Sequence, residues 1–131
     1  MLKKVYLAIP YTGMEESSYI QSLNTTAFLM EMNKGEMNVF SPILHSHPLT
    51  TLGFKGNWDF WKEIDFQFID WCDEVYVLVP KEGGELIYSS VGVQAELKYA
   101  KEKGKKITYI LAVNDNKYKE IEMKEEKMND I

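Results

Sequence analysis

The fold is decided by residues 74–104, which read EVYVLVPKEGGELIYSSVGVQAELKYAKEKG. The stretch begins with a short apolar run that stops at Pro80, and such a run is typical of a strand buried in a parallel sheet. After a loop, Ser89 or Ser90 is expected to cap the start of a helix, which is expected to end at Gly104. A buried strand, a loop and a helix in this order are the repeating unit of an α/β fold.

Three further apolar runs resemble the one at 74–80. They predict strands at 5–9, 38–41 and 106–113, with helical patterns between them. Alternating strands and helices give a parallel sheet, because right-handed crossovers place the helices against its faces. We therefore expect an α/β domain over residues 1–113. Its predicted architecture is three-layer and flavodoxin-like or Rossmann-like, with a parallel sheet of four to five strands and helices on both faces.

The segments between and after the predicted strands are expected to form helices, a long loop and a charged C-terminal segment. A first helix is expected to begin at Ser17 or Ser18 and to pack through one apolar face formed by Ile20, Leu23, Ala27 and Met30. Residues 59–71 predict a second helix, whereas residues 43–57 predict a long loop of the kind that is often functional. Residues 114–131 are highly charged and predict a surface helix or a tail.

The composition limits the kind of protein. The chain has 131 residues, 45% of them hydrophobic and 27% charged, which are ordinary values for one folded domain. The net charge is −5, whereas a surface for duplex nucleic acid is normally basic. The single Cys72 suits a reducing cytoplasm. The apolar run that stops at Pro10 is too short for a signal peptide, and no stretch is long enough to span a bilayer. We therefore expect a cytoplasmic protein with neither a membrane nor a duplex nucleic acid as partner.

Two predicted helices each place a carboxylate on an apolar face. Asp65 shares its face with residues at helical spacing, namely Trp61, Phe68, Ile69 and Cys72. Glu96 lies in or beside a stripe formed by Val93, Leu97, Ala100 and Gly104. Removing water from a carboxylate is costly. One explanation is a capping or ion-pair role, in which Asp65 meets a lysine and Glu96 lies at the rim of its stripe. The other is that both acids face one pocket, as in glycosidic-bond chemistry.

Three segments follow the predicted strands and meet at the edge of the sheet where open α/β folds bind ligands. They are residues 10–13, 41–57 and 80–90. The helix start at residues 89–90 presents backbone N–H groups to an anion, although a serine there also serves as a simple cap. The lack of a side chain at Gly92 leaves room for a ligand.

Further candidate contacts lie in the same segments. Four of them are Pro10 and three aromatic residues that would stack on a base or else pack as core or lid: Tyr11, Trp58 and Trp61. His45 and His47 form a His-x-His pair, which on one strand face would suit a metal ion. No cysteine lies near and the other acids are remote in sequence, so we expect no metal and predict imidazole contacts with a substrate instead.

Several segments resemble the nucleoside 2-deoxyribosyltransferase superfamily. Residues 90–96, SVGVQAE, resemble its Ser/Asp-x-Gly-x-x-x-Glu motif, in the serine form of the deoxynucleoside 5′-monophosphate N-glycosidases. Residues 65–73, DFQFIDWCD, resemble its acidic helix before the third strand, and residues 5–8, VYLA, resemble its first strand with a functional tyrosine. Residues 39–48, VFSPILHSHP, with residues 58–61, WDFW, look still more like a bacterial and phage family of uncharacterised domains in that superfamily.

The resemblance covers residues 4–113 and implies a flavodoxin-like fold with a division of roles. Glu96 matches the nucleophile, Asp65 the acid that assists the leaving base, and Tyr6 the group that positions Glu96. Ser90 matches a ligand of a phosphate or a sugar. The resemblance implies no cofactor, and because the relatives are usually oligomers it implies a homodimer or homotetramer.

The sequence departs from that pattern at two places. Residues 9–13, IPYTG, stand where the monophosphate glycosidases have a Gly-Ser-Ile-Arg-Gly type of loop, and no arginine lies near the motifs. The block with His45 and His47 has no counterpart in the characterised enzymes. We predict cleavage or base exchange at the N-glycosidic bond of a nucleoside or nucleotide, by a retaining mechanism. Two alternatives stay open: a non-catalytic nucleotide-binding or sensing module of the same fold, and a structural or host-interaction protein whose charged tail binds a partner.

Overall fold

The structure, a computed structural model, describes residues 2–80, 84–114 and 117–123. Its strands are β1 (Lys3–Ala8), β2 (Met37–Phe40), β3 (Glu74–Val79), β4 (Lys106–Asn114) and β5 (Lys117–Ile121). Its helices are α1 (Glu15–Met32), α2 (Pro42–Thr51), α3 (Trp58–Trp71), α4 (Leu86–Ser89) and α5 (Val91–Glu102). Among the residues described, no helix is both long and apolar enough to cross a bilayer.

The strands form one sheet in the order β2-β1-β3-β4-β5. The first four strands pair in parallel, with Val5 of β1 opposite Val39 of β2 and opposite Glu74 of β3. Successive side chains along these buried strands enter two different cores. One core packs the sheet against α3, α4 and α5, and the other packs it against α1 and α2. The expected α/β sheet with helices on both faces is therefore confirmed.

The expected packing face of the first helix is wrong. Ile20, Leu23 and Met30 are all at least 39% exposed, while the buried face of α1 consists of Ser18, Ser22, Thr25 and Leu29. Spacing identifies the faces of a helix, but hydroxyl side chains can also be buried. Ser18 and Thr25 have hydrogen-bond partners there, whereas the Ser22 hydroxyl has none among the described residues. The Ser18 hydroxyl donates to the carbonyl oxygen of Pro10 rather than capping the helix, which begins at Glu15.

The long loop expected over residues 43–57 is also wrong for its first half, which forms α2. Ser41 accepts a hydrogen bond from the Leu44 N–H, and Pro42 occupies the first turn, where its missing N–H is harmless. The helix continues through Pro48 to Thr51. The two histidines therefore lie on a helix and not on one face of a strand.

The charged C-terminal segment, expected as a helix or tail, is a strand where it is described. Residues 117–121 form β5, which pairs antiparallel with β4 and has Tyr118 opposite Ala112. Tyr118 packs against Phe28 and accepts a hydrogen bond from the Thr25 hydroxyl, so side-chain contacts hold this charged edge strand against α1. The remainder of that expectation, at 115–116 and 124–131, lies outside the described residues.

The loop expected at 81–88 is partly helical. Residues 86–89 form the short helix α4, whereas residues 81–83 lie outside the described part of the chain. Ser90 then ends α4 and caps α5, which begins one residue later. This tight helix–helix junction follows β3 and forms one wall of the site described below.

Candidate active site

A cavity of about 570 Å³ opens at the carboxyl ends of β1, β2 and β3. This is the edge at which parallel α/β sheets bind ligands. Nine of the candidate residues line it: Pro10, Tyr11, Trp58, Trp61, Asp65, Ser89, Ser90, Gly92 and Glu96. The described segments that follow three strands therefore meet at one concave surface.

The start of α5 places two features of the site. The Ser90 hydroxyl accepts the Val93 N–H at 3.2 Å, so Ser90 is an N-cap that also lines the cavity. One turn later, Glu96 lies on the same buried face as Val93 and Ala100 and is only 5% exposed. Capping fixes the direction of the helix, and the helix then carries the Glu96 carboxyl into the cavity wall.

Tyr6 lies directly behind the Glu96 carboxyl. Its side chain is fully buried on β1, and its hydroxyl donates a hydrogen bond to Oε2 of Glu96. Burial, together with the negative charges of Glu96 and Asp65, raises the pKa of the Tyr6 hydroxyl well above its usual value of 10.0. The tyrosine therefore stays protonated and acts as a donor that orients Glu96.

Asp65 enters the same cavity from α3 and is 8% exposed. Burial raises its pKa from 3.8 to about 7, although hydrogen bonding with Tyr6 lowers it in part. Burial and the nearby charge of Asp65 raise the pKa of Glu96 from 4.5 to about 8, again offset in part by the bond from Tyr6. Two carboxyls in one desolvated cavity resist being charged together, so the pair retains a proton at neutral pH.

These two acids differ from a buried carboxylate that has a structural role. Glu74 is 3% exposed and forms ion pairs with Lys3 and with Lys106, and it accepts a hydrogen bond from Thr108. No ion pair among the described residues involves Asp65 or Glu96. The chain contains no arginine, and no described lining residue is a lysine. The ion-pair explanation of the two acids therefore has no support in the described structure.

A model of one family matches residues 3–111, and its description reads "Domain of unknown function (DUF1937)". The chain belongs to the DUF1937 family. Its fold is similar to that of a solved structure described as "2-desoxiribosyltransferase from Leishmania mexicana", with a TM-score of 0.56 and 19% sequence identity. The similarity covers 83% of this chain but 64% of that one, so this chain spans less than two thirds of its length. No curated protein matches the chain.

Aromatic side chains form the outer part of the cavity in this DUF1937 domain. The Trp58 ring faces Gly92, where an added Cβ would lie 3.8 Å from the indole. Trp61 packs edge-on against Phe60 and lies beside Phe54. Both indoles line the cavity, and so does Tyr11. The cavity is therefore lined by aromatic rings from α3 and from the loop after β1.

The two histidines are not among the residues that line the cavity. His45 is exposed and packs edge-on against Trp61, with 6.0 Å between ring centroids. His47 is buried, stacks on Tyr19, and places Nδ1 2.7 Å from the Tyr11 hydroxyl. Among the described residues, no three metal-ligating side chains form a group that could hold a metal ion.

Sequence reasoning missed several polar residues that line the cavity: Thr12, Ser46, Thr50 and Asn57. Asn57 had a detectable signal, because it precedes an apolar helix and caps α3 by accepting the Phe60 N–H at 3.1 Å. Ser46 and Thr50 had no detectable sequence signal, because the segment that carries them was expected to be a loop. Their helical spacing of four residues is what brings both to the cavity.

Proposed function

We propose that this DUF1937 domain cleaves the N-glycosidic bond of a nucleoside, with Glu96 as nucleophile and Asp65 as acid. The observation that carries the proposal is the convergence of two buried carboxyls on one cavity, with a buried tyrosine hydroxyl bound to Glu96. Neither acid has a cation partner among the described residues, so their burial needs another reason. The fold shared with a 2-desoxiribosyltransferase supports the same chemistry.

The proposed reaction uses each group in one role. Glu96 in its ionised form attacks the anomeric carbon, while Asp65 gives its proton to the departing base. The bond between the sugar and the base breaks as the bond between the sugar and Glu96 forms. Water, or a second base, then attacks the anomeric carbon and the bond from the sugar to Glu96 breaks. Asp65, ionised in the first step, takes the proton that the attacking group loses. Water gives hydrolysis and a second base gives exchange, and the two outcomes share the first step.

Tyr6 is proposed as the group that positions Glu96. Its hydroxyl donates to one carboxyl oxygen and leaves the other free for the sugar. The same bond favours the ionised form of Glu96, which opposes the effect of burial on its pKa. Burial favours the neutral form of both acids, and the proposed reaction requires that the proton which the pair retains lies on Asp65.

The lining supports a nucleoside more than a nucleotide. Two acids line the cavity, and its described lining residues include no lysine and no arginine to bind a 5′-phosphate. The start of α5 offers only the positive end of a helix dipole, capped by Ser90. Uncharged polar groups from Thr12, Ser46 and Asn57 suit sugar hydroxyls or base edges.

The test is release of free base from a panel of nucleosides and their 5′-monophosphates, followed by chromatography. Wild type, Glu96→Gln and Asp65→Asn are compared, and each has a matched control on the same helix: Glu102→Gln on α5 and Asp70→Asn on α3. We expect the two site variants to lose activity and both controls to keep it. Equal release by Glu96→Gln and wild type would refute the proposal.

A second candidate, a nucleoside-binding module without turnover, is favoured by one observation. Burial holds the pKa of Glu96 at about 8, and a protonated carboxyl is not a nucleophile. This candidate predicts that a nucleoside raises the melting temperature while no base is released. A burst of base release in a single-turnover experiment would eliminate it.

We also propose that the chain forms a homodimer or homotetramer. The exposed apolar side of α1, with Ile20, Leu23 and Met30 each at least 39% exposed, supports an interface there. Sedimentation of wild type and of a Leu23→Glu variant tests this, and we expect the variant to sediment as a smaller species. A wild-type monomer would contradict the proposal.

A further inference from the structure

The hydroxyl of Tyr11 is held in the cavity wall by a buried imidazole. Nδ1 of His47 lies 2.7 Å from the Tyr11 oxygen, and His47 is only 6% exposed. Tyr19 stacks on the imidazole with 4.4 Å between ring centroids. On the other side, Nε2 of His47 lies 3.5 Å from a carboxylate oxygen of Glu16. An exposed carboxylate, a buried imidazole and the hydroxyl of a lining tyrosine therefore lie in series.

The series sets the direction of the hydrogen bond at Tyr11. A carboxylate only accepts hydrogen bonds, so the geometry favours the His47 tautomer that carries its proton on Nε2, which faces Glu16. Nδ1 then carries a lone pair and accepts the proton of the Tyr11 hydroxyl. Because a phenol has one proton, the Tyr11 oxygen can offer only lone pairs to a molecule in the cavity.

We propose that Tyr11 and His47 select a substrate that presents a hydrogen-bond donor, either a sugar O–H or a base N–H, to the Tyr11 oxygen. Tyr11 contacts the substrate, and His47 is a positioning residue that sets the polarity of Tyr11. The proposal rests on the proposed function, because it concerns the same cavity. It gives His47, in the His-Ser-His-Pro segment at 45–48, a role in orienting Tyr11 in place of the direct substrate contact expected from the sequence.

Substitution of each residue has a different expected effect. Tyr11→Phe removes the acceptor while keeping the ring in the cavity wall. His47→Phe keeps a ring that can stack on Tyr19 but leaves the Tyr11 proton free to rotate, so that Tyr11 can donate as well as accept. His47→Asn places an amide oxygen near the position of Nδ1 and restores an acceptor.

The experiment measures kcat/KM for base release from matched nucleoside pairs. One pair differs at the sugar (hydroxyl against O-methyl) and another at the base (N–H against N-methyl), so the two arms show where the donor lies. Wild type should prefer the donor-bearing member of one pair by about tenfold, as one hydrogen bond gives. Tyr11→Phe should lose about tenfold on that member alone, because the other member has no donor to lose.

The ratio within a pair separates positioning from structural damage. His47→Phe should bring the ratio toward one, and His47→Asn should restore it. Two controls should keep the wild-type ratio: Tyr19→Phe, which preserves the stacked ring, and Tyr99→Phe, whose hydroxyl binds Asp70 at 2.7 Å and whose residue does not line the cavity. Equal losses on both members in Tyr11→Phe, or a wild-type ratio in His47→Phe, would overturn the inference.

Failure of this inference can be distinguished from failure of the proposed function. If wild type releases no base, that reaction is refuted, and the same pairs are compared by dissociation constant. A donor preference that Tyr11→Phe removes supports the inference, and equal affinity for both members overturns it. If His47→Phe does not fold, Tyr11→Phe and His47→Asn decide the result.

Discussion

Replacing Glu96 by glutamine should make the protein more stable while removing its activity. Glutamine has nearly the same shape, and its amide oxygen can still accept the hydrogen bond from Tyr6, but it cannot ionise. The wild-type carboxyl is 5% exposed and has no described cation partner, so its charged form is poorly solvated. The amide avoids that penalty at every pH.

The size of the effect follows from the pKa of Glu96, which burial and the charge of Asp65 raise from 4.5 to about 8 in the folded state. Below pH 4.5 both states are protonated, and the stability is fully present. As the pH rises toward 8 the unfolded chain releases its proton first, so the stability falls. Each pH unit between the two values costs about 1.4 kcal/mol, which gives about 1 kcal/mol at pH 5 and about 4 kcal/mol at pH 8.

Thermal unfolding at these two pH values measures the difference. At about 4 °C per kcal/mol for a chain of this size, Glu96→Gln should melt about 4 °C above wild type at pH 5 and about 16 °C above it at pH 8. Glu102→Gln, an exposed change on the same helix, should follow wild type at both values. The reasoning is refuted if Glu96→Gln melts below wild type, or if its advantage is the same at pH 5 and pH 8.

Four further predictions concern the same cavity. The pH profile of kcat/KM should be bell-shaped, with apparent pKa values of about 7 and about 8 that belong to the Asp65–Glu96 pair. Asp65→Asn should lower the pKa of Glu96, because the charge of Asp65 raises it, and the pH dependence of ligand binding measures this shift. Tyr6→Phe should raise the pKa of Glu96 in the same binding measurement, since the hydrogen bond from Tyr6 lowers that pKa. It should also reduce kcat/KM by about tenfold in steady-state assays at neutral pH. Gly56→Ala should displace Trp61 and change the tryptophan emission spectrum, because the new Cβ would lie 2.7 Å from the indole nitrogen, whereas Gly92→Ala, with 3.8 Å to Trp58, should leave the spectrum near that of wild type.

The sheet could be predicted from sequence because its strands are buried on both faces. All six residues of β3 are buried, so the run from Val75 to Val79 is apolar without alternation and stops at a proline. The antiparallel edge strand β5 could not be predicted in the same way. Its residues are mostly charged, and its place depends on a contact between Tyr118 and Phe28 from distant parts of the chain.

The buried face of α1 could not be predicted from the spacing of apolar residues. Apolar residues recur at helical spacing on the exposed side, while Ser18 and Thr25 are buried because their hydroxyls bind Pro10 and Tyr118. Only the tertiary structure supplies those partners. For Asp65 and Glu96 the same spacing did indicate the buried faces, and both acids line one cavity. A carboxylate is far costlier to bury than a hydroxyl, so its place on an apolar face is the more informative signal.

The two buried acids and the buried Glu74 together show what separates a structural carboxylate from a candidate catalytic one. Glu74 is as deeply buried as Glu96, yet Lys3 and Lys106 supply its counter-charge. Around Glu96 and Asp65 the described groups provide a tyrosine hydroxyl and no cation, which leaves the charge of the pair uncompensated. A positive centre that enters the cavity would be stabilised there, and the oxocarbenium-like transition state of N-glycosidic cleavage is such a centre. The electrostatic penalty that destabilises the folded protein is therefore the same interaction that would favour the proposed reaction.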